Sequence, residues 1–286
     1  MSRHTSFKVG GPADALVKPE NVDELKKIIR FCQENQIFYM VVGGGSNLLV
    51  KDRGIRGVVI LLTSGFKRIE EMGRDENGII IMGMAGAWTR SLCAYALRKG
   101  LEGMNFALGI PGTIGGAIIM NSGTNMGSVS EVLWAIDVLE SEGTIHRYSR
   151  KDLSFSYRRL VWKNDEIPVI LSGYFKLRPS DEHRLRNAAA RIVRERMARQ
   201  PIGNPSAGCF FKNPASGKSA GELIDKAGLK GKQVGGAQVS FKHANFIINA
   251  GGATAEDILS LSDIIRKSVH DRFGVFLEPE VKIVGY

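Results

Sequence analysis

Val41-Val42-Gly43-Gly44-Gly45-Ser46-Asn47-Leu48 is the stretch on which the reading of the fold turns. Ile37 to Val42 is a β-branched and aromatic run, so a strand delivers three glycines and then Ser-Asn. Such a loop presents several backbone N–H groups with no side chains in the way, which suits a pyrophosphate. A plain flexible turn explains the same residues. The dinucleotide fingerprint G-x-G-x-x-G is not met, because strand-like Leu48-Leu49-Val50 follows where that motif opens a helix.

Outward from this loop the chain alternates irregularly between short strands and helices. Asn21 with Glu24 caps a helix carrying Leu25, Ile28, Ile29 and Cys32 to about Asn35. Val58 to Leu62 and Ile79 to Met84 read as strands, and a helix with Leu92, Cys93, Ala96 and Leu97 stops at Gly100. Gly109 to Gly127 reads as a long glycine-rich connection, and Val132 to Glu140 with Thr144 to Tyr148 as a β-hairpin. Val169 to Leu177 is a strand, and Pro179-Ser180 marks a boundary. Ser219 with Glu222 and Thr254 with Asp257 cap two later helices, and a last strand is expected from Val275 to Val284. The class is α+β, without regular βαβ alternation.

The chain has 34 glycines in 286 residues, clustered at Gly10-Gly11, Gly43 to Gly45, Gly109 to Gly116, Gly235-Gly236 and Gly251-Gly252. Clusters of this kind mark sharp turns or close approach to a ligand. Leu108-Gly109-Ile110-Pro111-Gly112-Thr113-Ile114-Gly115-Gly116-Ala117, continuing to Asn121-Ser122-Gly123, makes a rigid apolar wall against which a flat ring would lie. A buried packing turn is the competing reading. The formal charge of +10 comes from scattered lysines and arginines. Arg184 to Arg199, the one dense stretch, carries Leu185, Ala189, Ile192, Val193 and Met197 at helical spacing, so it is an amphipathic helix with a basic face. Neither nucleic acid nor membrane insertion is expected, and the start of the chain lacks a signal-peptide pattern, so the reading is cytoplasmic; a monomer is expected. Three cysteines form no CxxC pair, and no metal site is expected.

Thr5-Ser6-Phe7 with Gly10-Gly11-Pro12-Ala13, then GGGSNLLV (43–50), GIPGTIGGA (109–117), FSYRR (155–159), SAGCFFKNP (206–214), AGELIDKAGLKG (220–231), HANFIIN (243–249) and LEPEVK (277–282) run in one order. Together they resemble the UDP-N-acetylenolpyruvoylglucosamine reductase (MurB) family over almost the whole chain. The resemblance implies a two-part FAD-binding module of the vanillyl-alcohol-oxidase type (1–62 and 63–179), followed by a smaller α+β substrate-binding domain (180–286). It implies non-covalent FAD, held by Gly43, Gly44, Gly45, Ser46, Asn47, Leu48, Gly109, Ile110, Pro111, Gly112, Thr113, Gly115, Gly116, Asn121 and Gly123. NADPH is the implied co-substrate. The implied reaction reduces UDP-N-acetylglucosamine enolpyruvate to UDP-N-acetylmuramate, a step in making peptidoglycan for the cell wall.

The resemblance also assigns roles. Arg158 stabilises charge on the substrate carboxylate, Cys209 gives the proton, and Glu280 steers the carboxylate or relays that proton. Tyr157, Lys212, Asn213, Asn245 and Lys282 are implied substrate contacts. Cys209 stands where relatives commonly have serine, and a thiol of pKa about 8.5 is still mostly protonated at neutral pH. His4, Leu160 and Thr124-Asn125-Met126 depart from the family pattern, and no segment matches the extra tyrosine-bearing substrate loop of some members, which places the chain in the shorter class. A flavin oxidase acting on an alcohol or lactone would share the glycine loops but has no reason to carry SAGCFFKNP or LEPEVK.

Overall fold

In the computed structural model, which describes residues 1–163, 167–215 and 217–286, Gly83 and Gly173 stand opposite each other on neighbouring antiparallel strands. Those strands, Gly78–Met84 and Val169–Pro179, sit in a sheet ordered Ile145–Ser149, Leu133–Leu139, Val169–Pro179, Gly78–Met84, Ile69–Asp75. The glycine pair leaves a flat seat. A Cβ on Gly83 would strike Ile114 Cδ1, and one on Gly173 would fall 2.5 Å from Ile118 Cδ1. Both isoleucines belong to the short helix Ile114–Ile119, which therefore lies close on the sheet.

This sheet belongs to one of two compact units, made of residues 15–44 and 58–195. The helix Val22–Glu34 starts as its cap chemistry dictates: Asn21 accepts from the Glu24 N–H at 2.9 Å, while Leu25, Ile29 and Cys32 are buried. Tyr39–Val42 runs parallel to the end of the strand Ile55–Leu61, and the helix Thr89–Arg98 buries Leu92, Cys93 and Ala96. The expected hairpin is present, with Ala135 opposite Ser149. Gly109 to Gly127 is not the plain connection expected from its glycines. It contains Ile114–Ile119, whose Gly115 and Gly116 depress helix propensity but are offset by close packing on the sheet.

The other unit comprises residues 1–14, 45–57 and 196–286. Neither unit is continuous, in contrast to consecutive blocks ending at 62 and 179. Residues 45–57 lie with the C-terminal residues because Leu48–Val50 pairs in parallel with Lys282–Val284. The three short strands Gln233–Val234, Ala237–Val239 and Ile247–Asn249 pair antiparallel. Phe7, Phe210, Phe211, Leu223, Ile258 and Leu261 fill the core. The last strand is shorter than expected, Lys282–Val284 only, and before it Phe211 and Pro279 make an isolated bridge. Proline has no N–H to continue a ladder there. Leu277 and Val281 are buried, Pro279 and Glu280 half-buried, and Glu278 and Lys282 exposed. Among the described residues no helix is long and apolar enough to cross a membrane.

Helix Ala255–Phe273 has the capping box expected from Thr254 and Asp257, and it ends at Gly274 in the left-handed region (φ 68°). A second carboxylate completes its start: Asp52 accepts from the N–H groups of Ala255 (2.9 Å) and Glu256 (3.0 Å). Asp52→Ala should lower unfolding free energy by about 1 kcal/mol, read from urea denaturation. The Asp257 carboxyl is held below the ordinary aspartate range by the N–H groups of Thr254 and then Gly236. A depressed folded value gives stability that is present above the unfolded value and lost as pH falls through the folded one. Asp257→Asn should therefore lower the urea midpoint at neutral pH and flatten its decline below about pH 4.

Candidate functional site

In the sheet-bearing unit the expected cofactor residues converge on Thr113. This residue precedes the helix Ile114–Ile119, and the helix's fit on the sheet fixes where it stands. Its neighbour loop is tied by backbone bonds: Thr89 N–H donates to Gly112 O (3.0 Å), Ile114 N–H to Ala87 O (2.9 Å) and Gly115 N–H to Ala85 O (2.9 Å). Gly112 holds φ 120°, a conformation side-chain-bearing residues rarely adopt. A Cβ on Gly43 would strike Thr113 Oγ1, and one on Gly44 would fall 2.7 Å from the Trp88 ring. The end of the strand Tyr39–Val42 thus meets the second glycine loop with backbone only.

The Thr113 hydroxyl is buried and has no hydrogen-bond partner among the described residues. A buried hydroxyl without a partner costs about 1–3 kcal/mol, so its retention beside two side-chain-free positions fits a phosphate-bearing ligand. The Thr113 hydroxyl is a donor of the kind a pyrophosphate needs. The residues fit FAD. Gly109 and Pro111 are exposed and Ile110 half-buried, as an open wall requires. Gly115 instead packs on Ala85, where a Cβ would come within 2.9 Å of the alanine's own. It serves the helix seat.

Arg158 and Tyr157 form the turn between Ser154–Ser156 and Arg159–Val161. Arg158 has φ 59°, which costs a non-glycine residue about 1–3 kcal/mol and is held only where surroundings over-determine it. Its Nη1 donates to Gly123 O at 2.8 Å, and its guanidinium lies 5.1 Å from the exposed Tyr157 ring. Asn121 braces the same turn, its Nδ2 donating to Ser156 O (3.2 Å) while its Oδ1 accepts from Ser130 N–H (3.1 Å). Asn121 and Gly123 therefore hold Arg158 and its hairpin, a role their place in the glycine stretch did not signal. Leu160 is buried in the core, which accounts for an apolar residue at that departure. Thr124 and Gly127 pair across the next tight turn, and Met126 is exposed.

In the second unit Cys209, Lys212 and Glu280 are gathered by one backbone ladder. Lys212 N–H donates to Glu278 O (2.9 Å) and Glu280 N–H to Phe210 O (2.8 Å). Glu280 O in turn accepts from Asn47 Nδ2 at 3.1 Å, so Asn47 braces the glutamate. Ser6 N–H donates to Gly45 O (3.1 Å), which ties the Ser46-Asn47-Leu48 segment to the Thr5-Ser6-Phe7 block. Lys212 Nζ pairs with the exposed Glu278 carboxylate at 3.0 Å. Asn213 is exposed, and its Oδ1 accepts from Ala220 N–H at 3.1 Å, at the start of the helix Ala220–Lys226.

Asn245 departs from the expectation of a ligand contact. Its side chain is 3% exposed and both ends of its amide bond the Phe211 backbone, N–H to Oδ1 at 2.9 Å and Nδ2 to O at 2.8 Å. Burial leaves it no open face for a substrate. Lys282 is exposed. Cys209 is half-buried, whereas Cys32 and Cys93 are core residues, and burial pushes the Cys93 thiol up to about 12. Of the three thiols, Cys209 alone is both accessible and beside a carboxylate-bearing segment.

A family model described as UDP-N-acetylenolpyruvoylglucosamine reductase, C-terminal domain, matches residues 200–284, and one described as FAD binding domain matches residues 13–149. The UDP-N-acetylenolpyruvoylglucosamine reductase of Desulfosudis oleivorans is 50% identical over 290 residues, covering 100% of this chain and 93% of the relative. That of Heliobacterium modesticaldum is 42% identical, covering 100% and 89%. The crystal structure of the Thermus caldophilus reductase superposes with a TM-score of 0.82 at 36% identity, over 99% of this chain and 97% of that one. On these grounds the chain belongs to the UDP-N-acetylenolpyruvoylglucosamine reductase family.

Proposed function

We propose that the protein reduces UDP-N-acetylglucosamine enolpyruvate to UDP-N-acetylmuramate, with NADPH as reductant, as a cytoplasmic monomer supplying peptidoglycan precursors. Bound FAD would supply the hydride, taken from NADPH and given to the enolpyruvyl methylene carbon. The observation that carries the reading is the ladder that sets Cys209 and Glu280 on adjacent segments through the Phe210 peptide.

The protein's own residues then have definite work. Hydride addition drives negative charge onto the substrate carboxylate, and a guanidinium already in place stabilises that charge without reorganising. Arg158, locked by Gly123 O and by its turn, is such a group. The neighbouring carbon then needs a proton, and Cys209 Sγ–H gives it while the thiolate takes the charge. Glu280 steers the carboxylate or returns a proton to Sγ. Lys212, Asn213, Tyr157 and Lys282 orient the nucleotide-sugar. Gly43, Gly44, Gly112 and the Thr113 hydroxyl would line the pyrophosphate of bound FAD.

With NADPH and UDP-N-acetylglucosamine enolpyruvate, mass spectrometry should find a product heavier by two hydrogens. Cys209→Ala should lower kcat by about 10²-fold or more, while Cys209→Ser keeps most of the rate. An unreduced substrate would contradict the reading, and an unaffected Cys209→Ala enzyme would remove the thiol from it. Gly43→Ala should weaken FAD binding by about tenfold or more, measured as flavin absorbance retained per chain after dialysis. Unchanged retention would contradict the glycine seat.

A further inference from the structure

Asn245 is a buried residue whose side-chain amide and backbone carbonyl both bond the segment beside the proposed proton donor. Its own carbonyl accepts from Phe210 N–H at 2.7 Å. Its side chain takes both the N–H and the C=O of Phe211, at 2.9 and 2.8 Å. Only a carboxamide offers an acceptor and a donor at that spacing. Asp could not donate, Leu could do neither, and Gln would overreach by a methylene in a packed core.

The chain reaches Cys209 through buried Ala207 and then Gly208. Gly208 has φ 80°, and nothing lies within 4 Å of where its Cβ would be. After the cysteine, Phe210 and Phe211 are each 1% exposed, with rings edge to face at 5.0 Å. Phe210 O then accepts the Glu280 N–H at 2.8 Å, and Asn47 Nδ2 holds Glu280 O at 3.1 Å. One set of bonds therefore runs from Asn245 through the Phe210 peptide to Glu280. The other end of the Asn245 residue is tied as well, since its N–H donates to His243 Nδ1 at 3.2 Å. Burial pushes the His243 ring down, towards the neutral form that can accept there.

We propose that Asn245 is a positioning residue for proton delivery: by clamping Phe210-Phe211 it fixes the Cys209 thiol relative to Glu280. It touches neither substrate nor cofactor. The inference rests on the function proposed above and adds a specific consequence, that the two half-reactions depend on Asn245 unequally. Flavin reduction by NADPH involves no proton from Cys209 and should be indifferent to the clamp.

The test uses Asn245→Leu and Asn245→Asp in the protein loaded with FAD, followed by stopped-flow absorbance under anaerobic conditions. Reduction by NADPH should stay within about twofold of the parent, while reoxidation by UDP-N-acetylglucosamine enolpyruvate slows by about tenfold or more in Asn245→Leu. Asn245→Asp keeps the acceptor for Phe211 N–H and should fall between. A second readout needs no flavin. Cys32 and Cys93 are buried, so iodoacetamide reports Cys209, and the pH profile of its alkylation should change in Asn245→Leu. Equal slowing of both half-reactions, unchanged reoxidation, or loss of folding in both variants would overturn the proposal. A parent protein that the enolpyruvyl substrate fails to reoxidise would instead overturn the proposed function itself, so the two failures are distinguishable.

Discussion

Where Thr113 stands depends on how closely a helix can lie on a sheet. Gly83 and Gly173 are in register on neighbouring strands, and their missing side chains admit Ile114 and Ile118. The helix Ile114–Ile119 is too short to be stable alone, so packing is what forms it. Once seated, it delivers Thr113 to Gly43 and the open Gly109-Ile110-Pro111 wall to solvent. Asn121 and Gly123, just beyond its end, then reach the hairpin that carries Arg158. One steric allowance, two hydrogens in place of two methyl groups, is transmitted through a six-residue helix to Thr113 and to the hairpin of Arg158.

The second unit solves a similar problem with hydrogen bonds. In Gly208-Cys209-Phe210 the glycine takes φ 80° and Phe210 is tied through its N–H to Asn245 O. Phe210 and Phe211 are buried, and the Asn245 amide satisfies Phe211 backbone groups that burial would otherwise strand. The same logic closes the helix Ala255–Phe273, where Asp52 meets N–H groups 203 and 204 residues away. Polar side chains here work mostly on the protein's own backbone.

Much of this was legible in the sequence where the signal is local. The caps at Asn21, Ser219 and Thr254 with Asp257, the hairpin from Leu133 to Ser149, and the paired glycine loops each announce themselves within a few residues. The family motifs supplied the site residues that spacing alone left open. What stayed hidden is non-local. No local pattern shows that Leu48–Val50 will pair with Lys282–Val284, so consecutive blocks miss the way the chain returns on itself. Glycines at 115 and 116 masked a helix that only its seat stabilises. Gly236 turned out to donate its N–H to Asp257, and Gly11 to Lys51 O, so neither cluster needs a ligand to explain it. Asn245 sits in a family motif, and its motif position could not distinguish a ligand contact from a brace.

The most direct test of the central claim is the absorbance spectrum of the purified protein under anaerobic conditions, taken alone, after NADPH, and after UDP-N-acetylglucosamine enolpyruvate. The account predicts flavin bands that NADPH bleaches and the enolpyruvyl substrate restores. Bands restored only by admitting air would contradict it in favour of an oxidase, and a protein that stays colourless with added FAD would contradict the flavin site itself.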